Sequence, residues 1–160
     1  TNRFKDLYLS GGVYVRGTGS ANYLDDHEEG IHTATLTCLT SGTITLGNDA
    51  LSYTKIGRVV HLQGRINVTS VSSPTGTIEL SLPFALANPS EDSARTVGYV
   101  QIQNATSNLN EFGFYGTESG STIPLIVTGG NTSETTGLSA MAAEFSGNEY
   151  ISINLTYITT

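Results

Sequence analysis

The chain lacks tryptophan altogether and has one cysteine, one methionine and four prolines in 160 residues. A single cysteine, Cys38, rules out an intrachain disulfide and a thiolate metal cluster. It reads as a small buried hydrophobe. Basic side chains are equally scarce: seven Lys and Arg stand against 14 Asp and Glu, for a net charge of −7. A protein that grips a phosphate backbone needs a basic face, so a nucleic-acid partner is not expected. No run is long and apolar enough for a membrane span, and membrane insertion is not expected either. The first residues, Thr1 to Asp6, do not have the pattern of a signal peptide.

What is abundant is small and polar. There are 17 Ser, 23 Thr and 18 Gly, while charged residues make up only 13%. That mixture with scattered Val and Ile favours strands joined by tight turns over helices. Period-two alternation dominates. In Arg58–Val68, Val60, Leu62, Gly64, Ile66 and Val68 share one face, and Val59, His61, Gln63, Arg65 and Asn67 the other. Ile78, Leu80 and Leu82 alternate likewise, as do Ile151, Ile153, Leu155 and Tyr157. Shorter strands are expected at Thr35–Leu39, Thr43–Leu46, Leu51–Ile56, Thr96–Gln103, Asn110–Tyr115 and Thr122–Val127.

Turn residues separate these runs: Ser41-Gly42, Gly47-Asn48-Asp49, Ser73-Pro74-Thr75-Gly76, Gly116 to Gly120 and Gly129-Gly130-Asn131. Strands with one dry and one wet face, at this spacing, predict an all-β antiparallel β-sandwich of jelly-roll type. One helical pattern interrupts them. Leu138, Met141, Ala142 and Phe145 fall at i, i+3, i+4 and i+7, a short helix of at most two turns.

The first 30 residues differ. Leu7–Leu9 and Val13–Val15 flank Ser10-Gly11-Gly12, and an acidic bend follows at Asp25-Asp26-His27-Glu28-Glu29-Gly30. So small a piece buries no core of its own. The expected division is residues 1–30 as shaft end and acidic linker, and 31–160 as the head. Three copies around an axis would supply the contacts the shaft lacks, with Leu7, Leu9, Val13 and Val15 facing neighbouring chains.

Several segments carry a resemblance. Arg3-Phe4-Lys5-Asp6-Leu7-Tyr8-Leu9-Ser10-Gly11-Gly12-Val13-Tyr14 resembles the shaft-end motif of phage tail proteins. Asn22-Tyr23-Leu24-Asp25-Asp26-His27-Glu28-Glu29-Gly30 is similar to their acidic linker, followed by a Thr-rich strand, here Thr33 to Thr40. Tyr53-Thr54-Lys55-Ile56-Gly57-Arg58-Val59-Val60, Leu82-Pro83-Phe84 and the closing Tyr157-Ile158-Thr159-Thr160 resemble further pieces in the same order. The chain thus resembles the C-terminal, receptor-binding domains of bacteriophage tail fibres and tailspikes. The resemblance implies a trimeric fibre tip in the virion, joined to an upstream shaft and serving host attachment. His27 stands where that family has Tyr, and His32 where it has an aromatic. The family shares no receptor, so it brings no binding residues.

Candidate sites come from the residues themselves. Sugar C–H faces stack on exposed aromatic rings with amides and carboxylates nearby. Tyr99 shares the polar face of its strand with Gln101 and Gln103, and Tyr115 is out of phase with Phe112 and Phe114. With Asn104, Asn108, Asn110 and Glu111 close in sequence, Tyr99, Gln101, Gln103, Asn110, Glu111 and Tyr115 form the expected receptor site. The bland alternative is ordinary sheet tyrosines, or aromatics buried between subunits, and the missing tryptophan weighs against sugar.

Other chemistry finds less support. Asp25, Asp26, Glu28 and Glu29 suit Ca²⁺ by type but lack the alternation of a calcium loop; they read as a solvated linker, or as caps for Arg3 or Arg16 of another chain. His27 and His32, meeting their copies on a three-fold axis, would make an imidazole metal site, but no metal is expected. His61 reads as a surface histidine. No nucleophile elbow appears, Gly17-Thr18-Gly19 is a fragment of a phosphate loop with the wrong continuation, and four N-x-S/T sequons are expected by chance in a Thr-rich chain. The expectation is a non-catalytic module without cofactor. Its partners are its own copies and a bacterial surface glycan or outer-membrane protein. The alternatives are a structural trimerisation cap and the non-catalytic tail of a polysaccharide depolymerase.

Overall fold

A computed structural model describes residues 5, 8–19, 22–24, 26–107, 111–128, 138 and 140–160. Twelve strands follow in order: β1 (Val13–Tyr14), β2 (Tyr23–Leu24), β3 (His27–Thr33), β4 (Leu36–Cys38), β5 (Ser41–Leu46), β6 (Ala50–Ile56), β7 (Val59–Thr75), β8 (Ile78–Ser81), β9 (Thr96–Gln103), β10 (Phe112–Gly116), β11 (Thr122–Val127) and β12 (Tyr150–Ile158). The chain is all-β and its strand pairs are antiparallel.

Ten strands make one sheet in the order β3-β6-β7-β12-β9-β10-β11-β8-β4, with β5 on β7. The two separately bonded sheets expected of a sandwich are replaced by one sheet that curls into a half-barrel. The reason lies in β7, which is 17 residues long and serves two sets of partners. Val59–Asn67 pairs with β6 and β12, and Val68–Thr75 carries β5. Register shifts along β5 bend that second half, and the far end of the sheet, β4, comes round beside β5. At the bend Gly42 has φ +88°, and a Cβ there would lie 2.2 Å from the Ser73 carbonyl oxygen.

The dry faces meet inside the curl. Val60, Leu62 and Ile66 of β7, Ile151, Ile153 and Leu155 of β12, and Phe112 and Phe114 of β10 are buried together. Each fully buried Leu, Ile or Phe contributes roughly 2 kcal/mol. Gly64, opposite Ile153, interrupts the inward row: it is exposed and has φ +147°. A Cβ at Gly64 would come within 2.8 Å of Leu51, so glycine lets β6 pack closely. Of the expected short helix, Leu138 and Ala140 are α-helical and a 3-10 turn follows at Met141–Glu144, whose Met141 and Ala142, with Phe145, join the core.

His27–Gly30, read as linker, are the first residues of edge strand β3, paired with Tyr53–Ile56 of β6. Their acids, and Asp26 before them, are engaged within the chain. The Asp26 carboxylate forms an ion pair with Lys55, Tyr53 donates its hydroxyl to Glu28, and Glu29 lies 3.7 Å from His27. Asp25, Arg3 and Leu7 lie outside the described residues. β1 and β2 form a separate ribbon with Tyr14 opposite Tyr23 and their ring centroids 4.7 Å apart. Leu9, Val13, Tyr14, Val15, Tyr23 and Leu24 remain exposed on it.

The Leu82-Pro83-Phe84 turn is fastened to the last strand by Tyr157. Its hydroxyl donates to the Phe84 carbonyl at 2.9 Å and accepts from the Phe84 amide at 3.3 Å. Burial pushes the Tyr157 phenol up to about 12, against a partial lowering by the Phe84 backbone. The neutral phenol is the form that folding favours. Its contribution is complete below pH 10, the ordinary phenol value, and is lost as pH rises from 10 to about 12. Denaturant midpoints across that window are expected to fall more steeply for the native chain than for Tyr157→Phe. Parallel slopes contradict the assignment.

Candidate functional site

The wet face of β6, β7, β12, β9 and β10 forms one continuous surface. On β9, Val97, Tyr99, Gln101 and Gln103 point outward, while Val100 is buried. Register decides their neighbours. Tyr99 lies opposite Gly113, which has no side chain to shade its ring, and the β12 register continued by one residue puts Asn154 on its other flank. Gln101 faces Ser152, and continuing the β10 register brings Glu111 beside it. Gln103 faces Tyr150.

The result is an exposed ring, Tyr99 at 64% accessible, in a field of amides and hydroxyls. Tyr115 belongs to the same face, opposite Val97. It is half-buried, and Arg95 lies 5.6 Å over its ring and bonds its hydroxyl, so its face is already occupied. Asn110 and Asn108 lie outside the described residues. Asn104 turns aside and donates to the Asn148 carbonyl at 3.0 Å.

Other contributors come from strands far away in sequence. Arg65 lies 5.0 Å over the Tyr150 ring and faces Ser152. His61 Nδ1 is 3.0 Å from Thr156 Oγ1, and its Nε2 is 3.4 Å from Gln63 Oε1. Their outward phase is visible in the sequence. Their adjacency to Gln101 and Tyr99 depends on β12 lying between β7 and β9, which local sequence does not encode.

A shallow hollow of about 230 Å³ opens at one end of this face, against Val59, Ala94, Thr96, Thr156 and Ile158. Among the described residues no three His, Cys, Asp or Glu side chains gather as metal ligands. His32 Nε2 instead lies 2.9 Å from Ser81 Oγ and 3.1 Å from its carbonyl. Burial raises the pKa of Cys38, and a hydrogen bond from the Thr75 backbone lowers it by less. No described helix is long and apolar enough to cross a membrane.

No family model and no curated protein matches the chain. Among solved structures it is similar to the crystal structure of the Dettilon tailspike protein, gp208, with a TM-score of 0.61 and 19% identity. The match covers 82% of this chain and 23% of that one. The curled sheet is therefore a tailspike-related fold, and the chain spans less than a quarter of that neighbour's length.

Proposed function

We propose that this chain is the attachment module at the distal end of a phage tail fibre or tailspike, working as a homotrimer in the virion and binding a bacterial surface glycan without catalysis. The tailspike-related fold supports the setting. The observation that carries the binding reading is the open Tyr99 ring, flanked by Gly113 and set among Gln101, Ser152, Asn154 and Glu111. A ring takes the C–H face of a sugar, amides and hydroxyls take its hydroxyl groups, and an open strand face admits a long polymer. Three weak sites on one stem reach firm attachment by avidity.

Labelled protein on a panel of bacterial cells tests this. Saturable binding to a host strain is expected, and Tyr99→Ala or Gln101→Ala should weaken it at least about tenfold if each loses roughly 1.4 kcal/mol or more per trimer. Binding unaffected by both changes, or absent on every strain, overturns the reading; release of oligosaccharide from capsule overturns its non-catalytic part. A second reading, a cap that only registers three chains, is favoured by the apolar residues Val97, Val59 and Ile56 on the same face.

A further inference from the structure

We infer that the polymer taken by the Tyr99 face is acidic, and that Arg65 holds a sugar carboxylate two strands away from that ring. The inference rests on the glycan-binding reading above and names the chemical class of the glycan. Cations are scarce in this chain, and from Asp26 onward the other described Lys and Arg side chains are already engaged. Lys55 pairs with Asp26. Arg95 pairs with Asp92 and lies over the Tyr115 ring. Arg58 donates to the Thr159 carbonyl at 3.4 Å. Arg65 is exposed on the outer face, and among the described residues no acid pairs with it and no acceptor takes its N–H groups.

Its partner is a ring. The guanidinium carbon stands 5.0 Å from the centroid of Tyr150, which lies diagonal to Arg65 across β7 and β12. That contact holds the side chain in place and leaves its five N–H donors unspent. A planar fork held ready matches the two coplanar oxygens of a carboxylate, which accept two parallel hydrogen bonds. Polar neighbours complete the place. Ser152 lies opposite Arg65, Gln101 opposite Ser152, and Gln103 opposite Tyr150, so hydroxyl and amide groups meet the sugar hydroxyls around the charge. Glu111 ends the same row three strand spacings away, about 14 Å, and exposed charges so far apart are screened where the Debye length is about 8 Å. Arg65 and Tyr99 are two strand spacings and one pleat repeat apart, about 12 Å. One chain of sugars running obliquely across β9, β12 and β7 meets both.

The test compares a polysaccharide with the same polymer after carbodiimide–borohydride reduction, which turns each carboxylate into a primary alcohol. The probes are purified surface polysaccharides of the strains that the native chain binds, passed over the immobilised full chain. Carboxyl reduction should weaken binding at least about tenfold, and so should Arg65→Gln, since a charge-assisted bidentate pair is lost in each case. Reduction should cost the Arg65→Gln variant nothing further, because the fork that reads the carboxylate is gone. Arg65→Lys keeps the charge without the fork and should bind between the two. Circular dichroism of both variants should match that of the native chain. Full binding of the reduced polymer by the native chain overturns the inference. So does an Arg65→Gln variant that binds as the native chain does, or that loses the same factor with native and reduced polymer. In each of these cases binding that still depends on Tyr99 leaves the attachment reading standing. A native chain that binds no strain and no polysaccharide overturns that reading, and this inference with it.

Discussion

Glu149→Ala is expected to destabilise the protein by about 3 kcal/mol, since it removes a buried carboxylate that four partly buried hydrogen-bond donors share. Glu149 is fully buried. Its carboxylate accepts from the Ser146 amide and hydroxyl, each at 2.6 Å, and from the amides of Gly147 at 3.1 Å and Asn148 at 3.2 Å. One side chain thus organises the turn that starts β12, and its own carbonyl receives the Val68 amide at 2.8 Å, where β7 turns from β12 toward β5. Glu149→Gln keeps one acceptor oxygen but brings an NH₂ group against facing N–H donors, so about 2 kcal/mol is expected. Urea midpoints at one fixed protein concentration measure both. A cost below about 1 kcal/mol for the alanine variant would mean that the turn holds itself without the carboxylate.

Asp26→Asn is the second large effect, and its size depends on another residue. Lys55 is 6% accessible, with the Phe84 ring 5.6 Å from its ammonium and the Asp26 carboxylate paired to it. Removing the anion leaves a buried cation uncompensated, which costs 3–5 kcal/mol where both partners are buried. Asp26 is itself 45% exposed, so water screens part of the loss, and about 2 kcal/mol is expected. In a Lys55→Met background the same change should cost under about 0.5 kcal/mol, because no charge remains to strand. Equal costs in both backgrounds would assign the effect to the Asp26 backbone, whose carbonyl accepts from Gly57 at 2.7 Å. The pair fastens Asp26, just before β3, to β6.

Sequence and structure agree where local pattern decides the outcome. Alternation in Val60–Val68 and Ile151–Tyr157 marks the two strands that pair along nine residues at the centre of the sheet. The outward phase of Tyr99, Gln101 and Gln103 follows from the same alternation. Three features were not legible. Ser73-Pro74-Thr75-Gly76 reads as a turn, yet β7 runs on through Thr75 by pairing with β5. That one extension converts two sheets into a single curl. His27–Gly30 reads as a charged linker because acids seldom sit in strands, but Lys55 and Tyr53 on β6 receive Asp26 and Glu28. Tyr115 has the phase of an exposed ring, and only tertiary structure brings Arg95 over it. Each miss involves a partner distant in sequence, the information that single-strand periodicity does not contain.

The outer face of the sheet divides into an apolar end at Ile56, Val59 and Val97 and a polar stretch around Tyr99. Biosensor titration of purified host-surface polysaccharide over the immobilised full chain addresses that stretch most directly. Saturable binding that Tyr99→Ala weakens at least about tenfold, while Val97→Asp leaves the affinity of a single site unchanged, is the predicted result. Binding that survives Tyr99→Ala in full, or that vanishes with Val97→Asp on a folded chain, contradicts it.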